Sequence, residues 1–571
     1  MRLKRSPRAR ILRALLFSSS LLIASAPVDH PAYTQTSEQR ARTVAAPAPT
    51  QTPTQLPTPA PQPTPTPQVL PAAPAPRTVE ELRARIQAVL AQPQLAPAML
   101  GVKVTSLDTG RVLFAVNEGK LLMPASNMKL YTVAAALDRL GPDFRFVTSI
   151  YANERPDKTG RVRGDLIVYG RGDPTYATRF NGGDYYKPFD ELAAHIVAAG
   201  VRRIEGDIVG DESYFTGAPL GIGWEWDDLQ TYDAAEVTAL TVVDNALDLN
   251  VKPGVRAGTA AVVTSGPLNP SVRLVTPRAN EEVADAPNFI TIVNRAVTAP
   301  RGAKRELTVV RPLGQNLIEL TGSIAEDDSG YADNVAVHRP ALLFTAMLRA
   351  ALEKQGVTIK GRTRIVDAKA RAAAPLDLTK LVELAKRESP PFSEVAAQTL
   401  KPSQNLYAEL ILRTLGQQSP ASDPKQTTSA AGSAVVRAFL GEAGVADVAR
   451  LALYDGSGLS RHNLITADAT VQLLVYMSRH RYAQTWRDAQ PVAGVDGTLR
   501  SRMRNTPAAG NVRAKTGTLD NVAALSGYVT SAAGERLAFS LIVNHYPLEA
   551  AARRSYLDAV AILLASFAGR S

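Results

Sequence analysis

The chain contains no cysteine. Disulfides and thiolate-bound metals are therefore excluded, although that absence does not fix a compartment. Histidine is scarce as well: His30, His195, His338, His462, His480 and His545 are the full complement. None is spaced from another as ligands of one metal would be, so neither metal nor cofactor is expected. Aromatic residues make up only 6% of the chain, and no basic block is interleaved with them, so a nucleic-acid surface is not expected. The net charge of +11 does not change this. Six of those positive charges (Arg2, Lys4, Arg5, Arg8, Arg10 and Arg13) lie at the amino terminus without acidic companions, which leaves +5 over the rest. That is an ordinary solvated surface.

Long apolar runs are lacking at the amino terminus too. Residues 14–23 form an apolar stretch of about ten residues, short for a membrane span. Ala24-Ser25-Ala26 follows as a small-x-small cleavage site, so residues 1–26 read as an export signal. Pro27 is an awkward residue after a cut, and a retained membrane anchor is the alternative. Either way the expected location is the periplasm or cell envelope. Residues 27–77 are rich in Pro and Thr, densest over 45–76. Such a tract buries no core and favours polyproline II; about thirty residues would reach on the order of 90 Å. It reads as a tether or as an inert linker.

With 571 residues, 45% of them hydrophobic, the remainder is ample for several packed domains. A helix is expected from Thr78, with Val79, Leu82, Ile86, Val89 and Leu90 on one side, then a hairpin of 98–106 and 111–117. Residues 151–390 change texture: short strands at 166–169, 203–209, 260–264, 288–294, 306–310 and 316–323 are separated by Gly/Pro/Asp turns, and helices are few. Helical spacing returns at 393–400 and 405–415, and the chain closes on a strand at 537–544 and a helix at 548–567. The pattern predicts one α/β domain in two parts, 78–150 and 391–571, split by mostly β inserted domains, about two of them.

Everything downstream makes most sense as machinery for the hydroxyl in Pro124-Ala125-Ser126-Asn127-Met128-Lys129. Apolar residues follow it at helical spacing (Leu130, Val133, Ala134, Leu137, Leu140) until Gly141-Pro142. On such a helix Ser126 and Lys129 share one face. A neutral amine one turn away can take the serine proton. A helix N-terminus, burial and a second cation would each lower the lysine pKa. About one chance Ser-x-x-Lys match is expected in a chain this long. Ser422-Asp423-Pro424-Lys425 is such a match, with a proline that breaks the helical geometry.

Two further stretches decide the matter. In Lys401-Pro402-Ser403-Gln404-Asn405, a hydroxyl and a carboxamide stand two apart at a loop-to-helix junction. Taken alone, Ser403 would read as a helix N-cap. In Lys515-Thr516-Gly517-Thr518, a cation sits on or beside a strand, Thr516 and Thr518 add hydroxyl donors, and Gly517 lacks a Cβ, which lets a substrate backbone lie close. Lys158-Thr159-Gly160 repeats the tripeptide in a hairpin turn.

The ordered trio Ser-x-x-Lys, Ser-x-Asn, Lys-Thr-Gly resembles the penicillin-recognising serine acyl-transferases. Its wide first gap is similar to that of the D-alanyl-D-alanine carboxypeptidase/endopeptidase family, the low-molecular-mass class C penicillin-binding proteins of peptidase family S13. Gly170-Arg171-Gly172-Asp173-Pro174-Thr175, 206–211, 454–463 and 494–499 support it, and the resemblance runs from about Thr78 to the end. It implies a serine β-lactamase/transpeptidase-like domain, an antiparallel sheet flanked by helices. It also implies an acyl-enzyme on Ser126 formed on peptidoglycan stem peptides, with β-lactams as covalent inhibitors. Lys129, Ser403, Asn405 and Lys515 would complete the catalytic set, and Thr516, Gly517 and Thr518 would bind substrate. Trp224, Asp227, Tyr232 and Arg461 occupy positions similar to a side-chain pocket, with packing between domains as the alternative for the aromatics. Lys401 and Gln404 depart from the family pattern, which often has Asn and Asp there. A β-lactam hydrolase and a non-catalytic wall-binding scaffold are the rival readings.

Overall fold

The computed structural model describes residues 74–278, 281–284, 290–419, 425–547 and 550–571. The expected signal, all but the last four residues of the tether, Ser422 and Leu548 lie outside the described residues. Among the described residues no helix is long and apolar enough to cross a membrane.

The chain enters the fold through helix α1, Val79–Leu90, where the Thr78 hydroxyl accepts the Glu81 N–H at 3.1 Å and so caps a free donor of the first turn. Strands β1 (Met99–Ser106) and β2 (Val112–Val116) form the expected hairpin. Helix α2 is Met128–Leu140, closed by Gly141 at φ +81°, a conformation that suits glycine. After the insertion come α3 (Phe392–Leu400), α4 (Asn405–Gln418), α5 (Thr428–Glu442) and α6 (Ala467–Ser478). Strands β3 (Arg513–Leu519), β4 (Val522–Thr530) and β5 (Arg536–Asn544) and helix α7 (Ala550–Ser566) complete it.

The five strands make one antiparallel sheet in the order β3-β4-β5-β1-β2. The last strand in sequence thus pairs with the first, and the two parts of the domain close on each other. Alternation along β4 and β5 sends Leu525, Val529, Phe539 and Leu541 into a core with α1 and α7. Ala524, Tyr528, Ala538 and Ile542 face the opposite core, shared with α2 to α6. Helix α2 lies in the middle of that second layer. Every residue from Met128 to Leu137 is buried, so it is a core helix and not the one-sided helix its spacing predicts. Each such Leu or Val contributes about 1.5–3 kcal/mol over an exposed position.

The strands of the insertion form four sheets, one of them three short parallel strands, Thr358–Ile359, Arg203–Ile204 and Arg161–Val162. One five-stranded sheet has the order Thr363–Val366, Ile208–Asp211, Leu166–Tyr169, Val147–Ala152, Val382–Glu388. Nested between its strands in sequence are a mostly parallel sheet built on Leu317–Ala325 and a three-stranded antiparallel sheet centred on Ala246–Lys252. Two helices, Lys187–Ala198 and Pro340–Lys354, pack beside the first sheet and share one apolar core with the strands. Arg387, on the exit strand, reaches buried Asp173 at 3.2 Å and Thr175 at 2.9 Å, which ties the exit of the insertion to its entrance. The expected strand at 203–209 is two short strands. Gly206-Asp207 turns between them, and each half joins a different sheet. Lys158-Thr159-Gly160 is a turn, with Gly160 at φ +79° and the Asp157 carboxylate accepting the Thr159 N–H at 2.9 Å.

Candidate active site

Ser126 sits in a single 3-10 turn, Ala125–Asn127, that runs straight into α2. That geometry brings Lys129 Nζ to 2.9 Å from Ser126 Oγ. The amine has two other partners, Asn405 Oδ1 at 2.6 Å and the Ser457 carbonyl at 2.7 Å. The Asn405 amide is held in that orientation because its Nδ2 donates to the Asp233 carbonyl at 2.8 Å. Lys129 is fully buried. Burial pulls its pKa down from the ordinary 10.5 to about 8, against the opposing pull of Asp455, Glu409 and Asp233.

A second serine–lysine pair stands in the same cleft. Lys515 Nζ, also fully buried, donates to Ser403 Oγ and to the Thr516 carbonyl, each at 2.8 Å. Burial, with the Lys129 and Arg502 cations, pushes the Lys515 pKa well down. Ser403 is not the helix cap its sequence position suggests. It adopts φ +68°, and the cap of α4 is Gln404, whose Oε1 accepts the Leu406 N–H at 2.7 Å. The turn frees the Ser403 hydroxyl for Lys515. Both departures in this loop therefore have structural partners: Gln404 caps the helix, and Lys401 forms an ion pair with Asp496.

Strand β3 is an edge of the sheet. The Ala514 N–H points outward to the Pro491 carbonyl at 3.0 Å, so alternation sends the Thr516 and Thr518 N–H groups to the same open edge. The Thr516 hydroxyl is spent on Thr498 Oγ1 at 2.8 Å, while Thr518 is exposed. Gly517 serves packing more directly than substrate approach. A Cβ there would meet the Pro124 carbonyl at 2.7 Å and Ala125 Cβ at 3.1 Å, so its absence lets the nucleophile turn seat against the strand.

Between these walls lies a cleft of about 470 Å³, lined by Ser126, Ser403, Asn405, Thr516 and Thr518 together with Asp227, Tyr232 and Arg461. Glu225, Asp228, Asp233 and Asp520 make its rim strongly acidic. Arg461 pairs with Glu225 at 2.6 Å and donates to the Asp520 carbonyl at 3.1 Å. Trp224 departs from the expected pocket. Its indole N–H turns to buried Asp455 Oδ2 at 3.0 Å, and its ring packs against the Tyr214, Phe215 and Tyr407 cluster. The Asp233 carbonyl, Ser457 carbonyl, Glu409 and Asp455 surround Lys129 and are not among the expected site residues, although Asp455 and Ser457 lie in the supporting stretch 454–463 and Glu409 stands one helical turn beyond Asn405. No group of three or more potential metal-ligating side chains is gathered among the described residues.

An antiparallel sheet with helices on both faces, and a buried serine–lysine pair beside its edge strand, define a serine enzyme of the penicillin-binding class. Residues 82–567 match the D-Ala-D-Ala carboxypeptidase 3 (S13) family, and the chain belongs to it. It is similar to the D-alanyl-D-alanine carboxypeptidase of Actinomadura sp. (strain R39), 38% identical over 500 residues that cover 86% of this chain and 85% of that protein. The crystal structure of penicillin-binding protein 4 (dacB) from Haemophilus influenzae shares the fold, with a TM-score of 0.67 at 24% identity, covering 83% of this chain and 97% of that one. The same Haemophilus protein complexed with a β-lactam gives a TM-score of 0.63 at 22% identity, covering 84% and 97%.

Proposed function

We propose that the chain cleaves D-alanyl-D-alanine bonds of peptidoglycan stem peptides, as carboxypeptidase, endopeptidase or both, through an acyl-enzyme on Ser126. The observation that carries this reading is the 2.9 Å contact of a buried amine with the Ser126 hydroxyl. A neutral lysine has two N–H groups and one lone pair. Asn405 Oδ1 and the Ser457 carbonyl are acceptors only, so they take the two N–H groups and leave the lone pair for the serine proton. With a pKa of about 8, roughly a tenth of Lys129 is neutral at pH 7. An ordinary lysine would be neutral about 300-fold less often.

Ser126 Oγ then adds to the carbonyl carbon of the penultimate D-alanine. The N–H groups of Ser126 and Thr518 face the resulting oxyanion; losing one such donor costs about 10²–10³ in rate. The C–N bond breaks, Ser403 relays a proton to the departing amine, and Lys515 holds the carboxylate of that D-alanine. The arriving carboxylate supplies the counter-charge that buried Lys515 lacks. Water then cleaves the ester. A β-lactam acylates Ser126 in the same way, with its leaving group still tethered. Asp227, Tyr232 and Arg461 line the cleft and would contact the stem-peptide side chain, where an acid with an arginine suits a residue bearing one free amine and one carboxylate. Such a substrate places the protein in the periplasm or cell envelope.

The test is labelling of the chain from residue 27 with a fluorescent penicillin, beside Ser126→Ala and Ser422→Ala, with D-alanine release from a D-Ala-D-Ala peptide measured in parallel. A stable adduct and D-alanine release, both lost only in Ser126→Ala, are expected. Labelling that survives Ser126→Ala refutes the assignment. Fast turnover of the penicillin without a stable adduct makes the chain a β-lactam hydrolase, and silence in every assay favours the scaffold.

A further inference from the structure

Two carboxylates lie deep in the fold behind Lys129. Glu409 and Asp455 are each about 1% exposed. Burial raises the Glu409 pKa, and the nearby Asp455 raises it further, against hydrogen bonding from Ser457 and the Arg413 cation. Burying two carboxylates side by side is costly unless both are hydrogen-bonded or paired.

The geometry shows what they hold. Glu409 Oε1 accepts the N–H of Gly456 at 2.9 Å and of Ser457 at 2.8 Å. Asp455 accepts from Gly458 N at 2.8 Å, Ser460 N at 2.7 Å, Asn463 Nδ2 at 2.6 Å, Trp224 Nε1 at 3.0 Å and Ser457 Oγ at 3.2 Å. The loop 455–460 is thereby fixed on both sides of the Ser457 carbonyl, the acceptor 2.7 Å from Lys129 Nζ. Its glycines wedge it in place. A Cβ on Gly456 would come within 2.6 Å of the Ala408 carbonyl, and one on Gly458 within 1.9 Å of the Ala125 carbonyl. Asn405 and Glu409 are i and i+4 on α4, so one helix face presents one group to the amine and the other to the loop that also touches it.

We propose that Glu409, backed by Asp455, is a positioning residue for the Ser126–Lys129 pair: it clamps the Ser457 carbonyl onto the amine and supplies buried negative charge that tunes the amine's proton affinity. This rests on the acyl-enzyme reading above. The charged groups that act on Lys129 are Asp455 and Glu409 behind it, Asp233 from the insertion and Lys515 from β3. Glu409 itself is faced by Asp455 and Arg413.

The test measures the penicillin acylation rate from pH 5 to 10 for the parent, Glu409→Gln and Glu409→Asp, with circular dichroism as the check on folding. Glutamine keeps an oxygen for the two N–H bonds but removes the charge. Where Glu409 is ionised in the parent, above about pH 7, the amine then loses its proton more easily, so the upper part of the acid limb moves down by roughly one pH unit with the plateau nearly kept, while the two profiles converge toward pH 5. Aspartate keeps the charge but withdraws the oxygen, so the limb stays while the plateau falls by roughly tenfold. Two folded variants with the parental limb and plateau overturn the inference and leave the acyl-enzyme reading standing. Loss of the fold in both makes Glu409 a stability residue only and overturns it too. If only Glu409→Gln fails to fold, a parental plateau in Glu409→Asp decides against it. A parent that takes no label refutes the acyl-enzyme reading itself.

Discussion

Gly517→Ala separates two reasons for a glycine beside a nucleophile. If Gly517 serves only to let a substrate backbone approach, alanine should spare the fold and harm only large substrates. The structure argues otherwise. The added Cβ would lie 2.7 Å from the Pro124 carbonyl, and ordinary contact begins at 3.4 Å, so the tightest pair must part by about 0.7 Å. Neither side yields readily. The Pro124 carbonyl accepts the Asn127 N–H that closes the 3-10 turn, and Ala125 is fully buried at φ +46°. Strand β3 is registered on β4 from Arg513 to Leu519, and the same Cβ would press on Ala524 at 3.1 Å. The movement has to be taken by the edge strand and the turn together.

Overpacking of this kind costs about 1–3 kcal/mol, so the midpoint of thermal unfolding should drop by several degrees. A displacement approaching 1 Å between Thr518 and Ser126 should slow acylation by roughly 10²-fold, for a small penicillin as much as for a peptide. The assays are a thermal melt and the second-order rate constant for fluorescent penicillin. An unchanged melting midpoint with parental acylation would refute the packing argument. Adding Ala125→Gly to the variant removes the contact with Ala125 but leaves those with the Pro124 carbonyl and Ala524, so full recovery of the acylation rate in the double variant would also count against it.

Acylation should rise about tenfold per pH unit up to about pH 8 and then level, because the active form of Lys129 is the neutral amine. A rate that falls with rising pH over that range would mean the protonated amine is needed. Ser403→Gly and Ser403→Ala both remove an acceptor from buried Lys515, but the glycine variant should be the more stable of the two by roughly 1 kcal/mol because glycine tolerates φ +68°; both should lose most D-alanine release. Retained release in either, read by an amino-acid oxidase assay, would remove Ser403 from the proton path. Trp224→Phe should cost about 1–3 kcal/mol by leaving buried Asp455 short of a donor, with substrate preference unchanged. Asp227→Asn should do the reverse, raising KM for peptides with a free side-chain amine while the melt stays put.

What could be read from the chain follows the range of the interactions concerned. The hairpin, the strand at 537–544 and the turn at Lys158-Thr159-Gly160 are local patterns and stand where expected. The helices Lys187–Ala198 and Pro340–Lys354 carry proline in their first turn, a start signal that looks like a break among so many turn residues. Residues 203–209 read as one strand because their interruption comes from outside: a Cβ on Gly206 would meet Asp165 Oδ1 at 2.4 Å, and that same oxygen accepts the Asp207 N–H at 2.8 Å.

The site divides along the same line. Ser126 and Lys129 lie three residues apart and announce themselves through helical spacing. Two of the three partners of the Lys129 amine lie 276 and 328 residues away, and the more distant of them is a backbone carbonyl. A carbonyl has no residue type to read. What the sequence does retain is the apparatus that holds it: Glu409 one turn beyond Asn405, and Asp455-Gly456-Ser457-Gly458 with its small residues. Those residues make sense only when the nucleophile turn, α4 and the loop occupy the same few ångströms. The conditions that let Lys129 act as a base are therefore set as much by this distant loop as by the Ser-x-x-Lys spacing itself.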